Sequence, residues 1–147
     1  MDLKIEIISD KSKELVTIEC VEITPEVEEI KSFILSKERF ITGRSGDRMS
    51  RLSVCDILYF ESVDDRVFGY TENAEYEIKS RLYELEKEYA GCGFIRCSKS
   101  VLLNIYATES FSPALNGRFF AHLAGGEKVI VSRQYVADFK KAVLEGR

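Results

Sequence analysis

Apolar and polar residues alternate twice near the N-terminus. Leu3, Ile5 and Ile7 are separated by Lys4 and Glu6, and Val16, Ile18 and Cys20 follow the same rhythm further on. A period of two places such residues on one face of a strand. The tract Asp10-Lys11-Ser12-Lys13 between them reads as a turn. The pattern therefore predicts a hairpin whose second strand spans residues 15–23. The period then lengthens. Thr24-Pro25-Glu26 has the makings of a helix start, with a hydroxyl as cap, proline at the first helical position and acids in the first turn. Val27, Ile30, Phe33 and Ile34 continue at helical spacing, so a helix is predicted over residues 25–36.

The remainder is a series of short extended runs. Strands are expected at residues 40–44, 49–52, 57–62, 67–71 and 75–78, with turns at Ser45-Gly46-Asp47, Asp64-Asp65-Arg66 and Glu72-Asn73-Ala74 and a brief corner at Val54-Cys55-Asp56. Leu82, Leu85 and Tyr89 mark an amphipathic helix at about residues 80–89, closed by Gly91 and Gly93. Residues 94–96 are extended and residues 98–102 are expected to form one helical turn. Strands near 105–112, 117–123 and 128–132 follow. Asn116-Gly117, a strong type I′ hairpin signal, and Gly125-Gly126 link them. A helix over residues 133–144 carries Val136, Phe139 and Val143 as its apolar stripe. The class this predicts is mainly β with short α-helices, with no strand–helix alternation of the parallel kind. Residues 1–39 form a small α+β unit of two strands and a helix, read as a packing or dimerisation element, and residues 40–147 form the main domain.

Composition supports a packed core: 147 residues, 45% hydrophobic, with nine Phe and seven Tyr. No run approaches the ~18 apolar residues of a membrane span, and the N-terminus lacks a signal-peptide core. These features point to a soluble cytoplasmic protein. The four cysteines are scattered; Cys92 and Cys97 lack the second ligand pair that zinc needs, so free, buried or half-buried thiols are expected. A redox role for Cys97 would require exposure and a lowered pKa. Net charge is -4 but unevenly spread: residues 1–45 carry -3, residues 46–92 carry -5, and residues 93–147 carry +4. An acidic body with a basic C-terminal third can present one positive face.

Catalysis finds little support. His122 is the only histidine and sits inside an expected strand. The acids at residues 84–88 lie on a helix and are expected to pair with Arg81 and Lys87 across its solvent face. Gly91-Cys92-Gly93 follows a helix and lacks the third glycine of a phosphate-cradling turn. No enzyme activity and no cofactor are expected. The polar residues that stand out are those at the joints between β runs: Ser98-Lys99-Ser100, Asn116-Gly117-Arg118 and Ser132-Arg133-Gln134. Side chains held this way on a rigid scaffold suit binding. A helix-turn-helix is a poor fit, because the last helix follows a strand with no partner helix before it.

The ordered motifs DILYFES (residues 56–62), SRLYELE (80–86), FIRCSKSVLLN (94–104), SPALNGR (112–118) and VIVSRQYVADFKK (129–141) resemble the LytTR family of bacterial DNA-binding domains, over roughly residues 40–147. The likeness is to the stand-alone form without a receiver domain. It implies antiparallel β-sheets and double-stranded DNA read by loops in successive major grooves, usually at direct repeats. By the same likeness the contacts fall in the Asp65-Arg66 loop, at Ser98-Lys99 and at Arg133. Asp65 cannot donate to a guanine edge, which leaves Arg66 in the first loop. Arg133 is suited to bridge guanine O6 and N7, and Lys99, Arg118, Ser98 and Ser132 to meet phosphates. Phe60, Phe94, Leu102 and Phe139 are expected in the core, and Asn104 is expected to close a turn. The partners implied are DNA and a second copy of the chain. The alternative is a LytTR-like protein-interaction module, with a partner such as a membrane-bound inhibitor, favoured by the acidic Asp64-Asp65 loop.

Overall fold

The computed structural model describes residues 1–37 and 39–145. The first helix, α1 (Pro25–Lys37), begins where the Thr24 hydroxyl accepts the Val27 N–H at 3.3 Å. Ten strands follow in chain order: β1 (Phe40–Ser45), β2 (Arg48–Ser53), β3 (Tyr59–Val63), β4 (Arg66–Tyr70), β5 (Glu75–Ile78), β6 (Phe94–Arg96), β7 (Val101–Asn104), β8 (Thr108–Pro113), β9 (Phe119–Leu123) and β10 (Lys128–Val131). Helix α2 (Leu82–Tyr89) separates β5 from β6, and α3 (Val136–Glu145) follows β10. Strands pair antiparallel throughout, in one sheet ordered β2-β1-β5-β4-β3-β7-β6 and a second ordered β10-β9-β8.

Two cores flank the larger sheet. Phe60, Val67, Ile78 and Leu102 point to one face and pack with Leu82, Leu85 and Tyr89 of α2 and with Phe94. Tyr59, Ile95, Val101 and Leu103 point to the other, where Ala121, Leu123, Val129 and Val131 of the smaller sheet and Phe139 and Ala142 of α3 meet them. Phe60, Phe94, Leu102 and Phe139 are almost fully buried, as expected of core residues. Asn104 also does what its position predicts. Its Oδ1 accepts the Tyr106 N–H and its Nδ2 donates to the Ile57 carbonyl, both at 3.0 Å.

Three expectations fail for identifiable reasons. Residues 101–104 form a strand, not the continuation of a helical turn. All four are buried, because β7 is covered on both faces, and such a strand has no period of two to read. The acids of α2 pair only in part as expected: Glu84 Oε1 accepts the Arg81 backbone N–H at 2.9 Å, but Glu86 meets Arg96 at 3.2 Å and Glu88 meets Arg39 at 3.5 Å, side chains from other segments. The N-terminal hairpin is absent. Residues 1–24 hold one short 3-10 turn, Lys11–Lys13, and Leu3, Ile5, Ile7, Leu15, Val16 and Val21 are exposed. α1 does pack on the domain, through Val27 and a pair of small hydroxyl residues. Ser32 donates to the Gly91 carbonyl at 3.3 Å, and Ser36 donates to the Ser32 carbonyl at 2.7 Å. Phe33, counted with the packing stripe, is 55% exposed.

Candidate nucleic-acid interface

The backbone stitches three chain segments together at one end of the larger sheet. Between β6 and β7 the chain makes a tight loop closed by the Cys97 N–H to the Val101 carbonyl at 3.1 Å. Lys99 sits at its tip. The Arg96 guanidinium donates to the Lys99 carbonyl at 2.6 Å, and the Ser98 Oγ accepts the Ser100 N–H at 3.2 Å. Both bonds hold the loop from inside and leave the exposed Lys99 side chain to point outward. The Ser132 N–H donates to the Cys97 carbonyl at 2.8 Å, tying this loop to the segment that starts the last helix. There, Arg133–Tyr135 forms a 3-10 turn leading into α3.

Ser98, Lys99, Ser100, Ser132, Arg133 and Gln134 thus line one open depression of about 430 Å³. Among the described residues neither Lys99 nor Arg133 is in an ion pair. The β8–β9 hairpin joins them from the side. Asn116 (φ 61°) and Gly117 (φ 75°) both take the left-handed backbone that the Asn-Gly pair favours. A Cβ on Gly117 would lie 3.0 Å from Arg133 Cδ, so the stem of Arg133 rests against this turn. Arg118 follows, its Nε donating to the Leu115 carbonyl at 3.0 Å. Four of the six residues singled out in the sequence therefore share one depression, and Arg118 adjoins the turn on which Arg133 lies.

Arg66 is placed differently. It is the first residue of β4, after a two-residue turn in which Asp64 (φ 51°) and Asp65 (φ 62°) are both left-handed. Val63 pairs with Arg66, and the neighbouring Ser62 N–H donates to the Ser100 carbonyl. Arg66 therefore lies at the same end of the sheet as Lys99, two strands or about 10 Å away. Its guanidinium is engaged, however. Nε and Nη2 donate to the two Glu77 carboxylate oxygens at 3.0 and 2.8 Å, and Arg44 donates to the same carboxylate. These bonds hold the Glu77 carboxyl down at about 2, the Arg66 bonds first, and raise the Arg66 pKa in return. Nothing in the local sequence announces this pairing, since Glu77 is reached only through the β4–β5 register, where it lies opposite Phe68.

Other candidate chemistry is accounted for. The His122 ring bonds the Ser112 hydroxyl at 2.8 Å between neighbouring strands. Cys97 is fully buried and burial pushes its thiol up to about 12, which removes it as a reactive thiolate; Cys20 is exposed rather than buried. Among the described residues no three His, Cys, Asp or Glu side chains converge as a metal site would require, and no helix is long and apolar enough to cross a membrane. A larger groove of about 900 Å³ runs beside α1. It mixes Glu29, Asp56 and Glu72 with a single cation, Arg51, and is poorly suited to phosphate.

Comparison with known proteins bears on the family and the fold. Residues 47–144 match the model of the LytTr DNA-binding domain. The chain is 27% identical over 143 residues to an uncharacterised HTH-type transcriptional regulator of Staphylococcus aureus strain NCTC 8325, covering 96% of this chain and 97% of that one. It is 31% identical over 107 residues to a similarly named protein of strain MSSA476, covering 73% and 72%. The fold matches a LytTr DNA-binding domain from Bacillus cereus with a TM-score of 0.66 at 25% identity, over 71% of this chain and 95% of that chain. Despite the helix-turn-helix label of those relatives, α3 here follows a strand and a 3-10 turn. With a family model matched over most of its length and the fold in agreement, the chain belongs to the LytTR DNA-binding domain family.

Proposed function

We propose that the protein is a sequence-specific, double-stranded DNA-binding transcriptional regulator. It reads successive major grooves at direct repeats with loops rather than with a recognition helix. The observation that carries this reading is the convergence of Lys99 and Arg133, two cations without ion-pair partners among the described residues, on loops fixed to each other by backbone hydrogen bonds. A fixed cation meets a phosphate or a base edge without first leaving another partner, and rigid loops lose little entropy on binding. Arg133 is the base reader, with guanine as its target. Lys99 is the phosphate anchor, and Ser98, Ser132 and Arg118 add backbone contacts. Arg66 is a reserve contact while Glu77 holds it. The regulator works in the cytoplasm as a homodimer, which suits paired repeats.

The test is fluorescence-anisotropy binding to DNA from the protein's own promoter and to scrambled DNA across a salt series. Arg133→Ala is expected to cost ~1–3 kcal/mol on the specific site and to relax one base preference. Lys99→Ala is expected to weaken both DNAs and to flatten the salt slope by about 0.9. An unchanged base preference in the first variant removes Arg133 as the reader.

One observation favours a second reading, a protein-interaction module. The first-loop cation is neutralised by Glu77 while Asp64 and Asp65 stay exposed at the loop tip. Equal and weak binding to both DNAs, together with capture of a membrane-bound inhibitor in a pull-down, would replace the DNA reading.

A further inference from the structure

We propose that residues 3–7 form the strand-to-strand centre of a two-fold dimer, pairing antiparallel with residues 3–7 of a second copy around Ile5. This deepens the homodimer of the preceding subsection and rests on it.

The segment has strand chemistry without strand partners. Leu3 is 87% exposed, Ile5 79% and Ile7 98%. Lys4 and Glu6 meet at 2.7 Å, so these two side chains share the opposite face of an extended chain. The turn that follows is already formed: the Lys13 N–H donates to the Asp10 carbonyl at 3.0 Å, and the Asp10 carboxylate accepts the Ser12 N–H at 3.0 Å. A four-residue loop at 10–13 aligns Ile7 with Val16, Ile5 with Ile18 and Leu3 with Cys20, and sets Lys4 against Glu19. Every apolar residue of the first arm then faces an apolar or thiol residue of the second. Yet a two-stranded hairpin alone is marginal in water, and three or more strands with an apolar face are needed. Among the described residues of the single chain the two arms form no ladder. A second copy supplies the missing strands and makes a four-stranded sheet.

Charge selects which arm lies at the centre. In a two-fold antiparallel pair centred on Ile5, Lys4 faces Glu6 of the partner subunit, and Glu6 faces the partner's Lys4. Leu3 faces the partner's Ile7. The first arm is therefore complementary to itself. The second arm carries Glu14, Glu19 and Glu22 with no cation between residues 14 and 23. Pairing it with its own copy would set acids against acids, which is unfavourable between neighbouring strands. It belongs at the outer edges, where charge also discourages further strand addition.

Cross-linking of the full chain without DNA tests the register. In a Cys20→Ser, Cys55→Ser background, Ile5→Cys places two thiols across the two-fold at Cα separations of about 4.5–5.5 Å, within disulfide reach. Mild oxidation is expected to convert most of the Ile5→Cys protein to a disulfide-linked dimer. Leu3→Cys and Ile7→Cys should each link poorly alone but well when mixed, because residue 3 faces residue 7. In light scattering, Lys4→Glu should raise the dimer Kd roughly tenfold, and adding Glu6→Lys should restore it. A dimer that cross-links equally at all three positions, or not at Ile5, overturns the proposed pairing and leaves the homodimer standing. A monomer at micromolar concentration overturns both. Neither result bears on DNA recognition, which the Arg133 variant tests separately.

Discussion

Replacing Glu77 by glutamine should turn Arg66 from an internal partner into a DNA contact. In the wild-type protein both donor atoms of the Arg66 fork are spent on Glu77, which Arg44 also holds. Removing the negative charge leaves two arginines facing a neutral amide, and Arg66, already 55% exposed, is free to swing toward the backbone of a bound duplex. One additional phosphate contact steepens the dependence of log K on log salt by about 0.9. Over a fourfold rise in salt, from about 50 to 200 mM, the advantage of Glu77→Gln over wild type should therefore shrink by about 3.5-fold. The assay is anisotropy on the promoter site at four or more salt concentrations. Arg66→Ala serves as the internal control. It should leave the wild-type slope nearly unchanged and should abolish the gain in the Glu77→Gln background. The pH dependence follows from the same pair. The Glu77 carboxyl is held down at about 2, below its unfolded value of roughly 4.3. Its contribution to stability is therefore fully present above the unfolded value and is lost as pH falls through about 2. Between pH 5 and 8 the pair stays intact, so the difference between wild type and Glu77→Gln should not vary with pH from this source. A Glu77→Gln slope equal to wild type, or an Arg66→Ala slope flattened by a full contact in the wild-type background, would refute the claim that Glu77 withholds Arg66.

Other consequences of the geometry are as direct. Gly117→Ala should cost ~1–2 kcal/mol in urea denaturation, because its φ of 75° disfavours a Cβ. The new methyl, set 3.0 Å from Arg133 Cδ, should also blunt base selectivity. Phe139→Ala should lower stability by ~3–5 kcal/mol in the same assay, since the ring is fully buried and packs edge-on against Phe111 at 5.5 Å; a loss below 1 kcal/mol would mean that α3 does not anchor the two sheets. Iodoacetamide at neutral pH should label Cys20 while sparing Cys97, whose thiol is pushed up to about 12, and mass spectrometry after a brief pulse checks the order.

Local signals located most of the elements because the physics that sets them is local. Thr24-Pro25 caps α1, Asn116-Gly117 turns β8 into β9, and the 3.6-residue spacing of Val136, Phe139 and Val143 places α3 against the smaller sheet. Failures occurred where burial or partners come from far away in sequence. β7 is covered on both sides by different layers, so its pattern of four consecutive buried residues carries no period. In α1 two of the three buried residues are Ser32 and Ser36 beside Val27, with Ser32 small enough to reach the Ala90–Cys92 turn, whereas hydropathy also points at Phe33, which is exposed. The alternation of residues 3–7 is a strand signal that the single chain does not use, and this mismatch between local preference and fold is what points to a partner.

The candidate interface divides along the same line. Ser98-Lys99 and Ser132-Arg133 were legible as polar joints because each lies in a loop whose neighbours are apolar β runs. That they would share one depression depends on the bond from the Ser132 N–H to the Cys97 carbonyl, which no short motif encodes. Arg66 is equivalent to them in sequence, being basic and next to a tight turn. Its availability depends on Glu77, eleven residues away on the neighbouring strand and on the same face. A cation is useful for recognition only to the extent that it is unpaired in the free protein, because any existing bidentate pair must be broken before a phosphate is met. The identity of a basic residue and its place in a loop therefore indicate where DNA contacts can lie. The cross-strand register decides which of those residues are free to make them, and in this chain it separates Lys99 and Arg133 from Arg66.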